Sequence, residues 1–137
     1  MKKRILVILR VSSKAHRTEQ QREIMRKWLN SLGYQDEEIE WLECVASART
    51  PNSEYSQMVE DIKRLTTDDE IKTVAVWDIS RLGRFKSELL RLKMFFYEHK
   101  IQLLIKEQDI KLFNDDGTIS IGDNERYETF AAMAEKN

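Results

Sequence analysis

The chain has 137 residues, enough for one domain with a substantial core. Charged residues make up 34% and hydrophobic ones 41%, and 23 basic against 24 acidic residues leave a formal net charge of -1. That balance predicts a soluble globular domain and speaks against a self-sufficient polybasic DNA binder, so any nucleic-acid role must rest on a local cluster or on a further domain. Cys44 is the only cysteine, which rules out an internal disulfide and fits a reducing compartment. The longest apolar run is too short for a bilayer and Met1-Lys2-Lys3-Arg4 lacks a cleavable signal pattern, so no membrane association and a cytoplasmic location are expected.

Residues 4–9 read as a fully buried strand, because the apolar run Ile5 to Leu9 is continuous rather than alternating. Polar residues 12–18 read as a loop or a fraying helix start. Ile24, Met25, Trp28, Leu29 and Leu32 recur at helical spacing between Glu19 and Leu32, and Gly33 supplies the stop. Ile39 to Val45 reads as a second, partly exposed strand. Ala46 to Ser53, with the only proline, reads as a loop. Tyr55, Met58, Val59, Ile62 and Leu65 then mark one face of a second helix.

Lys72 to Trp77 is the third predicted strand and Lys86 to His99 the third helix. That helix is apolar on more than one side, through Leu89, Leu90, Leu92, Met94, Phe95, Phe96 and Tyr97; one side suits the sheet and the other wants a partner. Ile101 to Ile105 is a fourth strand, and Ile110 to Ile121 a polar excursion or hairpin around Asp116-Gly117. Asn124 to Lys136 begins a last helix with Tyr127, Phe130, Ala131, Met133 and Ala134 on its apolar face. It stops at Asn137 without a cap, which reads as a cut within a longer helix. The alternation predicts a three-layer α/β/α fold around a mostly parallel sheet of four to five strands.

Two arginine motifs follow the first and third predicted strands: Arg10-Val11-Ser12 and Arg81-Leu82-Gly83-Arg84. Open α/β sheets bind ligands at the carboxyl ends of their strands. If the two strands are neighbours, one hydroxyl and three guanidiniums converge, a set suited to serine attack on a phosphodiester because guanidinium forks match phosphate oxygens. Each part also has an ordinary reading. Ser12 alone resembles a helix cap, and Ser13 does so even more. An arginine ending a buried strand, however, is costly without a partner or an outlet to solvent. Arg81 and Arg84 stand at i and i+3 and would pair with carboxylates such as Asp78 in the bland case. Ser80 reads as a cap for the following helix, Arg49 as a solvated loop residue, and Gln21 as a surface glutamine or a group orienting the Ser12 loop. His16, His99 and one cysteine make no metal ligand set, and no glycine-rich nucleotide loop occurs, so no cofactor is expected.

Taken together, these motifs resemble the catalytic domain of serine recombinases, the resolvase/invertase family. The resemblance spans nearly the whole chain: the strand ending in Arg10-Val11-Ser12-Ser13, Gln21, Ala46-Ser47 before a loop, Arg81-Leu82-Gly83-Arg84, and Ala134-Glu135 in the last helix. It implies that Ser12 is a nucleophile forming a 5′-phosphoserine link to DNA, with Arg10, Arg81, Arg84 and a loop arginine stabilising charge. It implies substrate contacts from Ser47, Gln21 and Ser80, and no metal or cofactor. The implied partners are double-stranded DNA and further copies of the chain, as a homodimer and as a tetramer in the synaptic complex, in the cytoplasm with the bacterial nucleoid. Residues 1–122 would form the catalytic domain. Residues 123–137 would begin a long dimer helix leading to a DNA-binding domain.

Departures from the family pattern are specific. Ile8 stands where tyrosine is common, Ser80 where aspartate is common, and Ala48 where glycine is common. The loop arginine is expected at Asn52, and Arg49 is the nearest substitute. The departures at Ile8, Ser80 and Asn52 support an alternative, a catalytically degenerate recombinase fold kept as a DNA-associated or oligomerising module. A phosphoesterase acting on a small substrate is a third possibility.

Overall fold

The computed structural model describes residues 3–11, 16–45, 51–67 and 71–136. Five strands form one sheet in the order β2-β1-β3-β4-β5. They are β1 (Ile5–Val11), β2 (Ile39–Val45), β3 (Thr73–Val76), β4 (Gln102–Ile105) and β5 (Ile110–Lys111). The first four run parallel, and only β5 is antiparallel, joined to β4 through Leu104↔Lys111 and Ile105↔Ile110. Three α-helices lie between successive parallel strands, α1 (His16–Ser31), α2 (Pro51–Thr67) and α3 (Lys86–Glu98), and α4 (Ile121–Lys136) follows β5. This is the expected α/β architecture.

Side chains alternate across a strand, so β1 feeds two cores. Ile5, Val7 and Leu9 pack with Met25 and Leu29 of α1 and with Ala75 of β3. Leu6 and Ile8 join the larger cluster built by Met58 and Ile62 of α2, Leu89, Leu92 and Phe96 of α3, and Tyr127 and Ala131 of α4. Every one of these side chains is essentially closed to solvent. The same alternation assigns Arg10 to the face covered by α2 and α3, one step beyond Ile8.

Element boundaries differ from expectation in instructive places. The helix predicted to follow a loop through Ser53 starts earlier, at Pro51. Proline is favoured in the first helical turn because its fixed φ suits the helix and its missing N–H would be unpaired there anyway. Residues 46–50 of that expected loop lie outside the described residues. The last helix likewise starts at Ile121, not Asn124, and Asn124 N already donates to Ser120 O at 2.9 Å. The second apolar side of α3 finds its partner in α4, where the Tyr127 hydroxyl donates to Leu89 O at 2.7 Å. Gly33 ends α1 at φ +102°, with Tyr34 N bonded to Leu29 O. The Asp116-Gly117 hairpin is present, with Gly117 at φ +90° and Phe113 bridging Ile119.

Candidate active site

Strands β1 and β3 are hydrogen-bonded neighbours, with Ile8 level with Val76. Their carboxyl ends therefore bring the segment after Arg10 beside the segment after Val76. The chain leaves β3 through Trp77 and Asp78 into a short 3-10 turn, Ile79–Arg81. Asp78 caps that turn by accepting Ser80 N at 2.8 Å, and the Ser80 hydroxyl also bonds the same carboxylate oxygen. Ile79 and Leu82 anchor the turn in the core, which leaves Ser80 exposed and Arg81 half-buried. Ser80 caps no α-helix; α3 begins only at Lys86.

Arg10 finds the partner that its half-buried position requires: Nη1 donates to the Ser80 carbonyl at 3.1 Å. Burial, and next the nearby Arg84 guanidinium, draw the Arg10 pKa below its ordinary value, while Glu88, Tyr55 and Cys44 act the other way. Two arginine charges from distant parts of the sequence thus share one neighbourhood. Arg81 lies with its Nε 3.9 Å from Asp78 Oδ2, too far for a hydrogen bond. Its guanidinium stands 5.7 Å from the centre of the Trp77 ring, and the indole N–H is engaged by Glu107. The buried Nε of Arg81 has no acceptor among the described residues.

Glycine at position 83 allows close packing: a Cβ there would meet Glu88 Oε1, Leu89 Cδ2 and the Tyr55 hydroxyl, each at 3.3 Å. Tyr55 of α2 and Glu88 of α3 therefore touch the arginine segment directly. The Tyr55 hydroxyl is held protonated, first by burial and then by the Glu88 charge, with Arg10 and Arg91 opposing. Tyr55 is readable in the sequence only as part of an apolar helix face, and Glu88 draws no reading there. Their sequence signal is weak, although a glutamate three residues after a helix cap is a known pattern.

Gln21 is buried on α1, at 2% exposure, so it is not the surface residue of its ordinary reading. Its Oε1 has no hydrogen-bond partner among the described residues. Ser12, Ser13, Ser47, Ala48 and Arg49 lie outside the described residues, as does the side chain of Asn52. No cluster of metal-ligating side chains occurs among the described residues, and no described helix is long and apolar enough to cross a membrane.

The model of the resolvase N-terminal domain matches residues 5–135. The chain belongs to that family. As a resolvase-family domain it is a catalytic domain of the site-specific recombinase type. Solved structures agree on the fold. The N-terminal catalytic domain of TP901-1 integrase matches with a TM-score of 0.64 at 17% identity, over 98% of this chain and 95% of that one. A resolvase family site-specific recombinase from Streptococcus pneumoniae matches at 0.62 and 22% identity, over 98% of this chain and 87% of that one. No curated protein sequence matches.

Proposed function

We propose that this resolvase-family domain cuts and rejoins duplex DNA through Ser12. The Ser12 hydroxyl oxygen attacks a backbone phosphorus, the new Oγ–P bond replaces the P–O3′ bond, and the serine proton ends on the departing 3′-hydroxyl. The product is a 5′-phosphoserine link, which conserves an ester bond so that a 3′-hydroxyl from an exchanged strand can reverse the step. Arg10, Arg81 and Arg84 stabilise the added negative charge, the role of preorganised cations in a partly dry site. The observation that carries this reading is the juxtaposition of Arg10 with the Ser80–Arg84 segment, since Ser12 follows Arg10 by two residues.

In the same reading Arg49 is the loop arginine, and Gln21, Ser47 and Ser80 contact or orient substrate. Gln21 Oε1, buried and without a partner among the described residues, supports its part, because such an oxygen calls for a donor nearby. Copies of the chain pair as a dimer and meet as a tetramer on two DNA sites, with residues 123–137 contributing the dimer helix. The alternative, a catalytically degenerate module, draws on Ile8, which is wholly buried where the family commonly has tyrosine.

The test uses the intact protein and a pool of random-sequence duplex fragments. Covalent complexes are trapped in detergent, digested with nuclease and mapped by mass spectrometry. Phosphate attached at Ser12, loss of the adduct in Ser12→Ala, and a roughly 100-fold or larger fall in Arg10→Ala and Arg81→Ala are expected. Adduct formation should be unchanged in EDTA. An adduct that persists in Ser12→Ala removes the mechanism, and binding without any adduct favours the degenerate module.

A further inference from the structure

Phe85 occupies the N-cap position of α3, where an oxygen-bearing side chain normally accepts the first free N–H groups. Phenylalanine has no acceptor and stays 47% exposed. Glu88, at the third helical position, instead reaches back to the N–H groups just before the helix. Its Oε1 accepts Arg84 N at 3.1 Å and Phe85 N at 3.2 Å. The same oxygen lies against Gly83, and its carboxylate acts on Arg10 and Tyr55. One side chain therefore grips the backbone of the arginine segment while facing the cluster's positive charge.

We propose that Glu88 is a positioning residue for strand cleavage, holding the Arg84 backbone by accepting its N–H and that of Phe85. This rests on the proposed Ser12 chemistry. Two like charges drawn together before DNA arrives repel each other, so an arginine on a free turn would swing away. Two charge-assisted bonds to the backbone fix where the Arg84 side chain starts, without occupying its guanidinium. A carboxylate is also favoured at a helix N-terminus, where the free N–H groups point. The guanidinium thus stays available for phosphate, and the reaction gains orientation before substrate binds. Glu88 itself touches no reacting atom in this scheme.

The experiment compares wild type, Glu88→Ala, Glu88→Gln and Ser12→Ala as intact proteins. Adduct formation is timed at saturating DNA, and DNA affinity is measured separately. All rates are taken well below the lowest melting temperature of the set. Glu88→Ala should slow adduct formation by roughly tenfold or more, the scale of a misplaced catalytic group, without weakening DNA binding. Glu88→Gln keeps an amide oxygen at the same reach and should recover most of that rate. A cap with only a structural role would lower the melting temperature of Glu88→Ala and leave the rate unchanged, which overturns the proposal. Equal slowing of the alanine and glutamine variants overturns it as well, because the bonds would then not be the cause. An adduct in Ser12→Ala would instead sink the underlying chemistry, so the two failures are distinguishable.

Discussion

At Gly83 one missing methyl group lets three side chains from two helices meet the arginine segment. A Cβ there would stand 3.3 Å from Glu88 Oε1, Leu89 Cδ2 and the Tyr55 hydroxyl together. Leu89 is fully buried and cannot yield without disturbing the core, and Glu88 is tied to two N–H groups. Replacing glycine by alanine gains about 0.4–1 kcal/mol by restricting the unfolded chain. Overpacking a tight site costs about 1–3 kcal/mol. Gly83→Ala should therefore lose about 1 kcal/mol net, seen as a lower urea midpoint at unchanged slope. Gly83→Val should lose more. A neutral or stabilised Gly83→Ala would mean that Tyr55 and Glu88 move freely, contrary to the packing described.

The helix pair α3 and α4 shows what one buried cation does for an element. Lys93 is buried, and its Nζ donates to Asn124 Oδ1 at 2.7 Å and approaches Glu128 at 3.3 Å. The Tyr97 hydroxyl shares the Asn124 oxygen at 2.9 Å. Glu128 is half exposed, so water screens its share of the attraction and the amide bond carries more of the contact. Lys93→Met keeps the apolar stem and should cost about 1 kcal/mol, whereas Lys93→Ala adds a cavity and should cost about 2. Combining Lys93→Met with Asn124→Ala should show coupling of at least about 0.5 kcal/mol in a double-mutant cycle monitored by urea unfolding. Additive losses would mean that the two residues do not support each other.

Such cross-element contacts are where sequence reading stops. The apolar runs before Arg10 and before Asp78 announced two buried strands, because periodicity is local and parallel strands are apolar on both faces. Their adjacency stood only as the condition for a shared site, and the β1–β3 pairing meets that condition. The start of α2 at Pro51 was legible in principle, since proline marks first turns, but it also marks loops. Glu88 carried only a weak signal, because a glutamate at the third helical position reads as half of a capping box only when the cap residue bears an oxygen, and Phe85 does not. Gln21 looked like surface because glutamine usually is, whereas the fold buries it on α1.

For the molecule as a whole, the buried phenols set a limit on alkaline stability. Burial pushes up the pKa of Tyr127 and Tyr55, and more mildly that of Tyr97; the Glu88 charge adds to the effect at Tyr55 and Glu128 at Tyr97. In the unfolded chain these hydroxyls titrate near the ordinary tyrosine value of about 10. Above that pH the unfolded chain releases protons that the folded chain keeps. The folded state binds more protons, so stability is full below about pH 10 and falls as pH rises beyond it, by at most about 1.4 kcal/mol per pH unit for each fully retained proton. Thermal melts between pH 8 and 12 should show a midpoint that is flat and then declines. Ultraviolet titration should show Tyr127 and Tyr55 ionising only with unfolding. Tyr127→Phe gives the sharpest check, since it removes the most buried titrating hydroxyl along with its bond to Leu89. The variant should be less stable near neutral pH by about 1 kcal/mol yet lose less on going to pH 11. A wild-type protein whose buried tyrosines ionise reversibly near pH 10, with the fold intact, would contradict the sealed contact between α3 and α4.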